Sequence, residues 1–380
     1  MQPRCLAPRR IWKSLSRQLT SLSNKERNPL AKSKPKIKVD AVAFANGERY
    51  EPSNIKLIKP KVPFNWELEH HGRNIHVMSC KAPSVPAFEQ WILLLSDVHI
   101  DNPGCHKPTL TRLLKQAVAR RAAIFSNGDM LDLMQGFGDP RANKAALKVF
   151  RSALLSEHYF DSVVDSTADY LCSSECDYAG TNLICLGEGN HESGFQKRRE
   201  IDVNGHLARA IKSRCVSGVA AGGYHGYLRV KVQVGTSGFQ NLIWTMKHHH
   251  GSGGGGLSGG TLDARRVFTY VNADLAVMGH NHASNTVGLA TEVLSSTNGR
   301  YEIKNKFVEF VRIGTLKDEW HSSGWAVERG AGTGPAPICQ KWVRLFVDYE
   351  YEDKQKDEDG NTTRLRRSHP RINWEVTDAR

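Results

Sequence analysis

The stretch WILLLSDVH, residues 91–99, decides the fold. Trp91 to Leu95 are apolar without a break, far short of the roughly 20 residues a membrane-crossing helix needs. A short apolar run of this kind suits a strand buried on both faces. The run stops at Ser96, and a carboxylate and an imidazole follow at once as Asp97 and His99. The same construction recurs four times. AAIFS (122–126) runs into Asn127-Gly128-Asp129, with Asp132 three residues on. NLICL (182–186) leads to Gly189-Asn190-His191-Glu192. NLIWTM (241–246) leads to His248-His249-His250-Gly251, and DLAVM (274–278) to Gly279-His280-Asn281-His282.

Each cluster alone has an ordinary explanation. Asp129 beside Gly128 could be a turn or a helix cap. Asn190-His191 could belong to a loop, and His248 to His250 could be surface residues. Five such clusters, each directly after a strand-like run, point instead to one shared centre. The ligand types fit a pair of metal ions about 3.5–4 Å apart, which can neutralise phosphoryl oxygens and activate water. Imidazole with carboxylate suits zinc, iron and manganese better than calcium or magnesium. An Asn carbonyl adds a neutral oxygen. No cysteine occurs in the five clusters, which argues against a thiolate-type structural zinc site.

Outward from these runs, strands alternate with helix-like stretches at Thr109–Arg120, 144–156, Arg199–Ser213 and 262–271. This alternation predicts an α/β domain with its chemistry at the C-terminal ends of the strands. Tyr301–Ile313 and Trp342–Tyr349 read as further β structure, and short alternating pieces in 41–90, such as Asn74–Met78, as a small β preface. The sequence has 39% apolar and 24% charged residues, enough for a packed core. The net charge of +13 is concentrated in residues 1–63, where fifteen Lys and Arg face four Asp and Glu. This predicts a flexible basic arm ahead of a domain over 64–350, with a charged tail over 351–380. The arm leaves nucleic acid open as a partner. Its 11–23 segment also has the look of a transit peptide. The remainder reads as a cytoplasmic protein, with no membrane partner and no indication of oligomeric state. The 8 cysteines include no CxxC pair, and the closest spacing is Cys172–Cys176; the reading is reduced thiols.

The order D-x-H, G-D-x-x-D, G-N-H-E, H-H-G, G-H-x-H over about residues 91–315 resembles the calcineurin-like metallophosphoesterase superfamily. That resemblance implies a four-layer α-β-β-α sandwich with a dinuclear site at the strand ends. It implies hydrolysis of phosphate mono- or diesters by a metal-bridging hydroxide, with two divalent ions (Mn, Fe or Zn) as cofactors. Asp97, His99 and His282 would hold one ion, and Asp129 would bridge. Asn190, His280 and either His249 or His250 would hold the other. His191 would protonate the leaving oxygen, and Asp97 would orient it. Two alternatives stay open: a DNA or RNA phosphodiesterase that uses the basic arm, and a metal-binding regulatory module with little turnover. Asp132 stands where purple acid phosphatases carry a tyrosine, and Ser193 follows Glu192 where protein phosphatases carry an arginine. The glycine run at 251–260 faintly resembles phage-type phosphoesterases. Arg265 and Arg141 are candidate substrate contacts, and His106 a candidate pocket residue.

Overall fold

The computed structural model describes residues 57–84, 87–134, 159–235, 240–252, 271–297, 300–320, 337–351 and 367–380. All fall within the body Ile55–Arg380.

Among the described residues, thirteen strands build two mixed sheets. One contains β3 (Glu89–Leu95), β4 (Ala123–Ser126), β5 (Leu183–Leu186), β6 (Ala220–Ala221), β12 (Gln340–Tyr351) and β13 (Arg367–Ala379), in the order β13-β12-β3-β4-β5-β6. The other contains β1 (Trp66–His71), β2 (Ile75–Ala82), β7 (His225–Val234), β8 (Gln240–His249), β9 (Leu275–Met278), β10 (Ser284–Thr297) and β11 (Arg300–Ile313), in the order β1-β2-β7-β8-β9-β11-β10. β3, β4 and β5 are mutually parallel, as are β8, β9 and β11. Each sheet therefore gathers three strand C-termini side by side.

Alternation along β3 explains the layering. Ile92 and Leu94 face the second sheet and pack with Phe125, Leu228, Val230, Trp244, Met246 and Val311. Leu93 and Leu95 face the other way, onto the helices. Those helices are α1 (Lys107–Ala119), α2 (Tyr159–Leu171), α3 (Asn190–Arg199) and α4 (Val203–Lys212). α1 buries Leu110, Leu113, Leu114 and Ala117, the i, i+3, i+4, i+7 stripe of an amphipathic helix. The result is helices on one sheet and that sheet on the other, an α/β sandwich. The expected helices over 144–156 and 262–271 lie outside the described residues, apart from Val271.

Several expectations change. α1 begins at Lys107, because Pro108 occupies its first turn, where a missing N–H costs nothing. His106 is its N-cap, with Nδ1 accepting from Thr109 N–H at 3.3 Å, so it serves the helix rather than a pocket. The β preface is part of the second sheet, with β2 parallel to β7. The basic arm does not run to residue 63 as a free segment. Ile58 bridges to Cys215, and Lys61 pairs with Asp177 at 2.9 Å. The charged tail holds a strand, since β13 pairs antiparallel with β12 along its length. Its Ile372, Trp374 and Val376 alternate toward the core, while Pro370 and its charged residues suit an edge. Frequent charge masked that alternation in the sequence. Among the described residues, no helix is long and apolar enough to cross a membrane.

Candidate metal centre

The two sets of parallel strands end at the same place. Asp97 and His99 follow β3, Asp129 follows β4, and Asn190 starts α3 just beyond β5. His250 follows β8, and His280 and His282 follow β9. The chain turns sharply there. Asp97 (φ 51°), His99 (φ 47°), Asp129 (φ 51°), His280 (φ 76°) and His282 (φ 58°) all adopt the left-handed region. Such a conformation costs a non-glycine residue of order 1–3 kcal/mol and persists only where the surroundings impose it. Here they do. Asp97 N–H donates to Gly128 O at 3.1 Å, and Val98 and His99 N–H both donate to Asp129 O. Gln340 clamps Ser96, with Oε1 accepting Ser96 N–H at 2.7 Å and Nε2 donating to Ser96 O at 3.1 Å.

Asp129 is the hub. Its Oδ1 accepts His191 N–H at 2.9 Å. Its Oδ2 lies 3.1 Å from His250 Nε2, and 4.0 Å from both His99 Nε2 and His191 Nε2. Asn190 Oδ1 sits 3.1 Å from His250 Nε2 and 2.7 Å from His280 Nδ1. Asp97 Oδ2 accepts from Ser96 Oγ at 2.6 Å and from His280 N–H at 2.9 Å, while its Oδ1 lies 3.5 Å from His282 Nε2. Among the described residues, three groups have ligand atoms close enough to share an ion: Asp97, His99 and His282; His99, Asp129 and His191; and Asp129, His250 and His280.

The buried atoms here fit a cation. Asp97 Oδ1 and His99 Nε2 are buried without a hydrogen bond. His250 is fully buried, and its Nδ1 lies 3.0 Å from the Asn127 carbonyl. Donation there leaves Nε2 facing two oxygens, where an ion or a proton must sit. The electrostatics agree. Burial opposes a charge on His250, yet Asp129 outweighs it and pushes the imidazole up to about 9. Burial likewise opposes a charge on His282, but Asp97 and Glu319 raise it to about 10. Burial also works against the Asp97 carboxylate, which His282 and His250 hold down at about 2. In both cases the neighbouring carboxylates favour positive charge at this place. His99 differs: burial and Lys317 lower it to about 4, so it presents neutral nitrogens.

The alternatives within the histidine run separate by strand parity. Trp244, Met246 and His248 point into the core between the sheets. His250 continues that row just past the strand end. His248 is a core residue against Phe125 and His76. His249 turns outward, its Nδ1 accepting Gly251 N–H at 2.8 Å and its ring near Tyr224 and His225. The structure brings His250, and not His249, to Asp129. One role shifts as well. Asp97 engages Ser96, His280 and His282, whereas His191 Nδ1 lies 2.6 Å from the Asp132 carbonyl oxygen and 3.8 Å from Asp132 Oδ1. Asp132, and not Asp97, is placed to orient His191. Asp132 is also 3.0 Å from His99 Nδ1.

Three supporting residues were missed by the motif reading, and a fourth, Glu192, was read in the G-N-H-E motif without a role. Glu192, buried at the start of α3, accepts N–H bonds from Asp129, Leu131 and Gly189 at 3.0–3.1 Å. Asp101 accepts from the Asp132 and Leu133 amides at 2.5 and 3.0 Å. Lys317 Nζ lies 3.3 Å from Asp132 Oδ1 and 3.7 Å from Glu319 Oε1, and Glu319 Oε2 lies 3.5 Å from His282 Nδ1. Lys317 and Glu319 follow β11 as the clustered aspartates and histidines follow their strands, which was the available signal. Arg265 and Arg141 lie outside the described residues. No protein-family model matches the chain, and no curated protein matches it.

Proposed function

We propose that the chain is a metal-dependent phosphoesterase of the calcineurin-like type, acting on phosphate mono- or diesters. The reading is carried by one observation: aspartates and histidines from the ends of two parallel strand sets converge on Asp129, with overlapping three-residue groups on either side. In this reading the fold is the four-layer sandwich of that superfamily. Asp97, His99 and His282 would hold one divalent ion, and Asn190, His250 and His280 would hold the second, with Asp129 placed to serve both. Manganese, iron or zinc suits the nitrogen and oxygen donors. When bound, two such ions supply Lewis-acid charge to the phosphoryl oxygens and lower the pKa of a coordinated water.

The residues of the chain do the rest. Asp132 fixes the His191 ring through Nδ1, so that Nε2 faces the cluster 4.0 Å from Asp129 Oδ2. There it holds a proton for the leaving oxygen, a general-acid role. Lys317 anchors the Asp132 carboxylate, keeping His99 and His191 in register. Glu192 ties the Asp129 turn to the start of α3, so the bridging carboxylate and Asn190 are positioned as one unit.

The test is hydrolysis of a bis-aryl phosphodiester and an aryl phosphomonoester by chelated protein before and after manganese is restored. Turnover that returns with manganese and is lost in Asp129→Asn and His191→Gln supports the reading. Two equivalents of metal bound without turnover of either ester would overturn it in favour of a metal-binding module. Hydrolysis of DNA or RNA that falls steeply with salt and with removal of residues 1–56 would identify nucleic acid as the substrate.

A further inference from the structure

Cys172 follows the last residue of α2, and Cys215 lies just beyond α4. They are 43 positions apart, yet their Sγ atoms are 3.3 Å from each other. Both are buried, at 5% and 1% exposure. The sulfur that meets Cys172 is therefore not that of Cys176, its nearest cysteine in the sequence. Gly180 makes the approach feasible, since a Cβ at that position would lie 2.6 Å from Cys172 Sγ and 3.2 Å from Cys215 Sγ. The backbone is held on both sides. Cys172 N–H donates to Ala168 O and Cys215 N–H to Ile211 O, each at 3.0 Å, and Val216 N–H donates to Ile58 O at 2.7 Å. A disulfide needs sulfurs about 2.0 Å apart, so closure asks for roughly 1.3 Å of movement of the sulfurs.

We propose that Cys172 and Cys215 are a disulfide-forming pair, joined when the folded protein meets a two-electron oxidant of the peroxide class. Either thiol can donate in the hydrogen bond between them. Arg214 favours a thiolate in the pair and adjoins Cys215 in the chain. Elsewhere burial pushes the Cys80 and Cys105 thiols up to about 12, which keeps them unreactive. The Cys215 thiolate attacks hydrogen peroxide, breaking the O–O bond to give a sulfenic acid and hydroxide. The Cys172 sulfur then displaces that sulfenic oxygen, which leaves as water with the Cys172 proton. The two thiols lose two electrons, and one peroxide becomes two waters. The closed loop spans 172–215 and carries Asn190, His191 and Glu192, so the link would fasten the segment that positions them. The pair stands apart from the phosphoesterase reading, and its test does not depend on turnover.

The experiment treats the full chain with hydrogen peroxide and blocks free thiols in denaturant. It then reduces, applies a second label and maps the peptides by mass spectrometry. The expected result is a Cys172–Cys215 cross-linked peptide lighter by two hydrogens, with the second label on those two cysteines alone. The unfolding midpoint should rise on oxidation of the unsubstituted protein and stay put in Cys172→Ser. Oxidation of Cys215 to sulfinic acid without a cross-link, linkage of either cysteine to Cys176, or complete first-label alkylation of both would each overturn the proposal.

Discussion

Replacing Glu192 with alanine should loosen the centre without removing any ligand. The side chain is buried, 1% exposed, and its two oxygens serve three backbone amides. Oε2 takes those of Asp129 and Gly189, and Oε1 takes that of Leu131. An amide left buried without an acceptor costs about 1–3 kcal/mol. Alanine strands all three, and water entering the space offsets part of the loss, so about 4 kcal/mol of destabilisation is expected. That is a large fraction of the roughly 5–15 kcal/mol by which folded proteins are stable. Glutamine should cost less. Its carbonyl oxygen can replace Oε2 and keep two bonds, losing only the Leu131 amide, for about 1–2 kcal/mol. The assay is urea unfolding of the three proteins in chelator at fixed pH, with manganese titration as a second readout. The stability order should be unsubstituted, Glu192→Gln, Glu192→Ala. Manganese affinity should fall at least tenfold in the alanine variant, because the Asp129 turn at φ 51° loses its tie. Equal stability of all three within about 0.5 kcal/mol would refute the reasoning, since that is the scatter of ordinary surface substitutions.

Other outcomes follow from the same geometry. Gly128→Ala places a Cβ 2.6 Å from His250 Nδ1 and 2.7 Å from Gly189 N at φ +112°, so it should cost more than about 2 kcal/mol and impair metal binding, as thermal unfolding with and without manganese will show. His76 is buried beside His70 and Cys185, and burial, with the neighbouring His70, lowers it to about 4. Between pH 6.5 and 4 the unfolded chain then binds a proton that the folded protein refuses. Stability is present above about 6.5 and lost as pH falls toward 4, by up to about 3 kcal/mol for this group. In chelator, His76→Gln should show a correspondingly smaller loss between pH 7 and 4.5, and an identical loss would remove His76 as the cause. Deleting residues 367–380 exposes the core under Ile372 and Trp374, so the truncated chain should be insoluble or unfold at markedly lower temperature; unchanged unfolding would mean that β13 adds nothing to the sheet.

The apolar runs at 91–95, 122–126, 182–186, 241–246 and 274–278 marked five strands, because buried parallel strands leave little freedom in residue type. The carboxylates and imidazoles directly after them marked the centre, since strand ends in one sheet lie together whatever the loops do. α3 escaped notice because NHESGFQKRR has no apolar stripe, and its Gly189 cap and terminal Lys and Arg are weak signals. β13 escaped because an edge strand tolerates charge.

What the sequence settled by itself was local: where buried strands run, and that metal-type ligands close each of them. Which neighbour of each ligand faces the centre was decided only by the tertiary structure. Parity along β8 carries the inward row to His250 and turns His249 away, but the row has meaning only once the opposing sheet defines inward. Asp132 rather than the Asp97 that the resemblance implied reaches His191, because Asp97 is taken up by Ser96, His280 and His282 while the turn after Asp129 carries Asp132 to the His191 ring. Lys317 meets Asp132 across 185 positions, and Cys172 meets Cys215 across 43 while Cys176 lies only four away. Such contacts depend on how helices and sheets pack, and packing is a property of the whole chain rather than of any stretch within it.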